Sequence, residues 1–139
     1  PMRFVQRFPI DTVLLAGRWT VLDRTGASLL AECRARDIDI VVGGALNSGI
    51  LAAPVATSTF NYAPVTPEVL AEAQRLDAVC REVGVPLLAA ALQFPLRHPA
   101  VSSVLVGMRS PDEVAAAVAN LTLDIPDDLW DRLTPTLLV

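Results

Sequence analysis

Residues 107–113, Gly107-Met108-Arg109-Ser110-Pro111-Asp112-Glu113, have the types and the spacing needed to hold an anion. Ser110 predicts a helix N-cap, Pro111 the first helical residue and Glu113 the third, reaching back as a capping box. The first amides of such a helix have no internal partner, and the helix dipole makes that end partly positive. Arg109, just before the cap, adds a full charge and a flat guanidinium fork suited to phosphate or to stacking on a base. A glycine turn, a basic residue and a capped helix together make a phosphate end for a nucleotide site. The same pattern also begins ordinary helices in α/β proteins.

Further residues that could do chemistry also follow apolar runs. Gly17-Arg18-Trp19 comes after a strand expected over 10–15, and Gly43-Gly44-Ala45-Leu46-Asn47-Ser48 after a strand over 38–42. The run Val104-Leu105-Val106 leads into Gly107. Between these strands, residues 26–36, 66–84, 86–96 and those after Ser110 are read as helices from apolar spacing, caps and the Gly84 stop, and a short last helix begins near Ile125. Pro1 to Phe8 resembles a helix entered part-way. Residues 45–65 are expected to be a long loop. The strands lack polar alternation, as parallel strands covered on both faces do. Strand-helix order then leaves two α/β architectures, a small doubly wound sheet or part of a (β/α)8 barrel. The unusual residues sit where strands end, the face on which barrels build active sites.

Composition limits the functions. The 139 residues are 53% hydrophobic, enough for one folded domain with a core. No apolar run reaches the roughly 18 residues of a membrane span, and Arg3, Gln6 and Arg7 interrupt any leader-like core, so a cytoplasmic protein without membrane partners is expected. A net charge of −4 and the lack of a basic cluster argue against nucleic acid. Cys33 and Cys80 are far apart and accompanied by one histidine, so no disulfide or metal site is expected. All eleven basic residues are arginine. A mechanism that needs a lysine cannot be completed by this chain.

The segments LLAGRWTVLD, VVGGALNSGILA, FNYAP and AALQFPLRHPAVSSVLVGMRSPDEV resemble, in type and order, the C-terminal part of an aldo-keto reductase. The similarity is greatest to the branch containing D-threo-aldose 1-dehydrogenase and L-fucose dehydrogenase. It implies that residues 1–139 are a single-domain portion of a (β/α)8 TIM barrel about twice as long, with about strands six to eight and their helices. It also implies NADP or NAD as cofactor and an aldose-type substrate. Trp19 matches the family's aromatic on the nicotinamide, which would leave one ring face free for hydride transfer. Gly44-Ala45-Leu46 matches the turn on the cofactor pyrophosphate, continued by Asn47, Ser48 and Gly49, where small residues let amides approach phosphate. Gly107, Met108, Arg109 and Ser110 match the turn on the adenosine phosphate.

Two departures accompany the match: Ala116 and Ala117 stand where a Glu-Asn pair usually holds the adenine, and Val106 replaces a proline. Tyr62 is expected to pack its loop and His98 to close a helix. The family's proton donor is a tyrosine tuned by lysine and aspartate with a histidine nearby, and these lie in the first half of the barrel. No catalytic residue is therefore assigned here. The implied function is an NAD(P)-dependent aldose dehydrogenase represented by its cofactor-side part; the alternative is an inactive truncated remnant or an interaction module. Open barrel edges would favour self-association.

Overall fold

The computed structural model describes residues 1–134. Three parallel strands, β1 (Thr12–Ala16), β2 (Asp39–Gly43) and β5 (Val101–Leu105), form a sheet in the order β1-β2-β5. Thr12 pairs with Asp39 and Ala16 with Gly43, and the β2–β5 ladder shifts register between Ile40 and Val41. Around the sheet lie α1 (Met2–Arg7), α2 (Ala27–Ala35), α3 (Pro67–Glu82), α4 (Leu87–Gln93), α5 (Pro111–Leu121) and α6 (Asp127–Arg132). Fold class is thus α/β, with helical crossovers between parallel strands, as expected. Two short strands, β3 (Thr59–Phe60) and β4 (Ala63–Pro64), form a separate antiparallel hairpin.

Two apolar clusters hold these elements. Leu29, Leu30 and Cys33 of α2 pack with Leu15, Ile40, Val42 and Val5 against one face of the sheet. On α3, Val69, Ala73, Leu76 and Cys80 recur at helical spacing and join Ala89, Ala90, Ala91, Leu129 and Leu133 in the larger cluster. Burial pushes the Cys80 thiol up to about 11, so it acts as a small apolar side chain. Among the described residues no single helix is long and apolar enough to cross a membrane, and no group of three potential metal ligands occurs.

The caps behave as their residue types require. Thr66 Oγ1 accepts the Val69 amide at the start of α3, and Ser110 Oγ accepts the Glu113 amide at the start of α5. The helix expected over 86–96 is instead α4 followed by a 3-10 turn, Phe94–Arg97. Pro95 supplies the reason, since it has no amide to continue the α-helical ladder. Coverage of the strands on both faces is not found: on β2 the buried Ile40 and Val42 share one face, while on the other Val41 is half-buried and Asp39 exposed. Ile40 and Val42 are fully buried, whereas Leu14 of β1 is 60% exposed and Leu105 of β5 58%. Burial of a strand face needs a layer packed over it, which pairing within the sheet does not provide, so apolar residues there do not imply burial.

Candidate functional site

Because β1, β2 and β5 are parallel, their C-terminal ends lie along one edge and bring residues 17–25, 44–51 and 106–110 together. The first two segments are tied by buried polar groups. Thr20 Oγ1 donates to Asn47 Oδ1 at 2.6 Å and accepts the Leu22 and Asp23 amides, while Asn47 Nδ2 donates to the Gly17 carbonyl at 3.2 Å. Asp23, fully buried, accepts from Thr25 through one oxygen and from Arg18 through the other. Gly17 and Gly44 carry φ of 66° and 64°, and a Cβ on Gly44 would stand 3.2 Å from the Gly17 nitrogen. The close approach is eased by the missing side chain at Gly44, whereas at Gly17 a Cβ would make only ordinary contacts, 3.6 Å from Asn47 Nδ2 and Asn61 Oδ1, and the left-handed φ is what favours glycine.

A cleft of about 610 Å³ opens between the 44–52 segment, α4 and the β5–α5 connection. Gly44, Ala45, Leu46, Ser48, Gly49, Gly107, Met108 and Arg109 line it, with Leu88, Leu92, Ala116 and Ala117 as further apolar wall. Eight of the eleven sequence-assigned residues therefore share one cavity. The other three sit apart from its wall. Asn47 is the buried tie just described, and Ser110 caps α5. Trp19 packs between both apolar clusters, 5.3 Å from the Phe94 ring and edge-on to His98 at 5.5 Å, and its Nε1 has no hydrogen-bond partner. His98 ends the 3-10 turn, and its Nδ1 accepts the Ala100 amide; burial lowers its pKa.

The charged end of the cleft is a pair. Glu113 accepts the Arg109 amide at 2.7 Å and the Arg109 guanidinium at 3.0 Å. The carboxylate thus reaches one residue beyond the cap amide expected for it and gains a charge-assisted contact. Those two bonds, the backbone one first, hold its pKa below the ordinary carboxylate value. Arg109 itself stays 90% exposed. Its fork can therefore turn to an anion without leaving a buried charge behind.

Tyr62 was not expected here. Asn61 and Tyr62 carry φ of 50° and 66°, the two left-handed residues of a tight hairpin turn between β3 and β4. The Tyr62 ring is 96% exposed and borders the cleft instead of packing the loop. Asn61 was the available signal, but tyrosine at a position that favours glycine concealed the hairpin.

A comparison with known proteins bears on the chemistry of this strand-end cleft: the sequence profile of the aldo/keto reductase family matches residues 2–136. The chain belongs to the aldo/keto reductase family. It is 44% identical over 126 residues to pyridoxal 4-dehydrogenase of Microbacterium luteolum, covering 89% of this chain and 37% of that protein. It is 34% identical to D-threo-aldose 1-dehydrogenase of a Pseudomonas species, covering 99% and 43%. The aldo-keto reductase AKR11C1 of Bacillus halodurans, in its holo form, superposes with a TM-score of 0.75 at 20% identity, over 99% of this chain and 47% of that one. The chain thus spans less than half the length of the curated relatives it matches, and its fold is shared with about half of a solved aldo-keto reductase. Sequence resemblance to the aldose 1-dehydrogenase branch of this family is also found by direct comparison.

Proposed function

We propose that this aldo-keto reductase chain is the cofactor-binding part of an NAD(P)-dependent, aldose 1-dehydrogenase-like enzyme, and that β1, β2 and β5 are one arc of its (β/α)8 barrel. The observation that carries the reading is the cleft at the strand ends, which joins small residues at Gly44, Ala45, Gly49 and Gly107 to the exposed Arg109 fork. Its volume lies within the range of about 300–1,000 Å³ typical of small-ligand sites. The residues fit a dinucleotide phosphate: nothing lies within 4 Å of the space a Cβ would take at Gly49 or Gly107, and since the Gly49 amide is donated to the Leu46 carbonyl at 2.9 Å, the Gly107 turn is the one that would meet the anion. The backbone at Gly107 can therefore approach an oxyanion closely. A bound nicotinamide would accept hydride from the carbon being oxidised. This chain's own part is to bind and orient. Arg109 would hold a phosphate, and the apolar wall of Leu88, Leu92, Ala116 and Ala117 would keep water from the ligand.

Support for the substrate class comes from the relatives' names. D-threo-aldoses and pyridoxal both carry an aldehyde that a hydroxyl of the same molecule can close on, so oxidation at that carbon is the shared chemistry. Proton transfer needs a tuned acid, and here there is no lysine in the sequence and Tyr62 stands in solvent. The chain alone is accordingly a binding part without turnover in this reading. Calorimetric titration with NAD and NADP tests it: the parent should bind, and Arg109→Ala should weaken binding by about tenfold, the worth of one charge-assisted contact. Assays of the chain with L-fucose or D-arabinose should remain at the buffer rate. Equal affinity of parent and variant would overturn the phosphate assignment, and turnover would overturn the division of labour.

A further inference from the structure

Tyr62 combines three features that the free chain does not use. Its backbone is left-handed at φ 66°, a conformation disfavoured for a bulky residue. Its ring gains no burial, at 96% exposure. Nevertheless the hairpin presenting it is fixed: the Tyr62 amide donates to Ser48 Oγ at 3.1 Å, Thr59 Oγ1 donates to the Ser48 carbonyl at 3.0 Å, and Gly49 bridges to Thr59. Ser48 and Gly49 are themselves cleft residues, so the tyrosine is positioned by the cavity it borders. Among the described residues lining the cleft it is the one aromatic; Trp19, partly buried, packs against both apolar clusters and is not part of the lining. Sites under backbone strain that serve no packing purpose tend to serve ligands.

We infer that Tyr62 is the ring-stacking wall of this cleft, covering the flat heterocycle of a nucleotide whose phosphate meets Arg109. The inference rests on the cofactor-site reading above and adds the group that recognises the base. Ala116 and Ala117 can offer a ring only apolar contact, so the aromatic face of Tyr62 is what distinguishes a nucleotide from a bare sugar phosphate. Stacking of this kind tolerates different heterocycles, because each has a π face. The residue is a binding residue and takes no part in proton transfer.

The test compares ligands that share a phosphate and differ in the ring: AMP, nicotinamide mononucleotide and ribose 5-phosphate, each titrated calorimetrically into the chain and into Tyr62→Ala, Tyr62→Phe and Arg109→Ala. At least one nucleotide should lose about tenfold in affinity in Tyr62→Ala and keep it in Tyr62→Phe, with ribose 5-phosphate unchanged in both. The lone tyrosine, labelled as 3-fluorotyrosine, should shift on adding that nucleotide and stay still with ribose 5-phosphate. An exposed ring leaves folding intact when removed, which a thermal melt checks. If Tyr62→Ala leaves every affinity unchanged while Arg109→Ala weakens them all, the stacking role is wrong and the phosphate site stands. If no ligand binds the parent chain, both readings fall.

Discussion

Two regions at the same edge of the sheet are built on opposite principles. Where β1 and β2 end, Thr20, Asp23 and Asn47 are almost fully buried and satisfy one another and the backbone of residues 17–25. Where β5 ends, the connection to α5 is exposed: α5 has no buried residue, and Val114, Val118 and Leu121 are 46%, 58% and 45% exposed. The ion pair at its start lies in solvent. Fully satisfied buried polar groups fix one geometry, because each has nowhere else to bond. Exposed groups can exchange partners. On the proposed reading, the buried ties of the first region set shape while the cleft residues 44–49 and the exposed second region meet the ligand, and this separates mutations that unfold the chain from those that alter binding.

The largest effect should come from Asn47→Ala. It strips partners from Thr20 Oγ1 and the Gly17 carbonyl and places an alanine at φ 44°. A loss of about 2–4 kcal/mol is expected from the orphaned groups and the strain together, measured by urea unfolding. A loss below about 0.5 kcal/mol would mean that the tie is not what holds these loops.

Gly26→Ala should come next. Its Cβ would meet the Arg18 carbonyl at 2.6 Å and Leu15 Cδ2 at 2.8 Å, and backbone must move, at about 1–3 kcal/mol. The same unfolding experiment checks it, and ligand affinity should change less than stability does.

In the exposed region the order reverses. Glu113→Gln should leave stability within about 0.5 kcal/mol yet tighten NADP relative to NAD by a few fold, since a competing carboxylate is removed from Arg109. Unchanged relative affinity in calorimetry would show that the pair does not compete with phosphate. The smallest signal is pH dependence. Glu113 is depressed in the folded chain, so its pairing is fully present above the ordinary carboxylate value of 4.5 and is lost as pH falls through the lower folded value. The carboxyl carbon in an NMR titration should show a midpoint below 4.5, moving back up in Arg109→Gln.

Much of this architecture was legible without coordinates, because it depends on local chemistry. Thr66-Pro67 and Ser110-Pro111 start helices through a side chain that accepts a nearby amide, and Gly84 at φ 73° ends one. Segments following the strands could be singled out for the same reason, since glycine runs and Arg109 are local signals. Legibility stopped where distant partners decide. Val13-Leu14-Leu15 and Val104-Leu105 read as two-sided core, but exposure there is set by which elements pack over each face of the sheet, and apolar side chains carry no record of that.

The sequence alone determined the order of the three sheet strands, the helix caps and the residues that end each strand, because each depends on neighbours a few positions away; the family was legible because whole segments match in type and order. Tertiary structure decided three things. It joined Thr20 to Asn47 across 27 residues, set Trp19 against two apolar clusters, and set Tyr62, hidden inside a loop of unremarkable composition, at the cleft. Each depends on a contact between segments far apart in the chain, and residue type sets only what such a contact can do once the fold has made it.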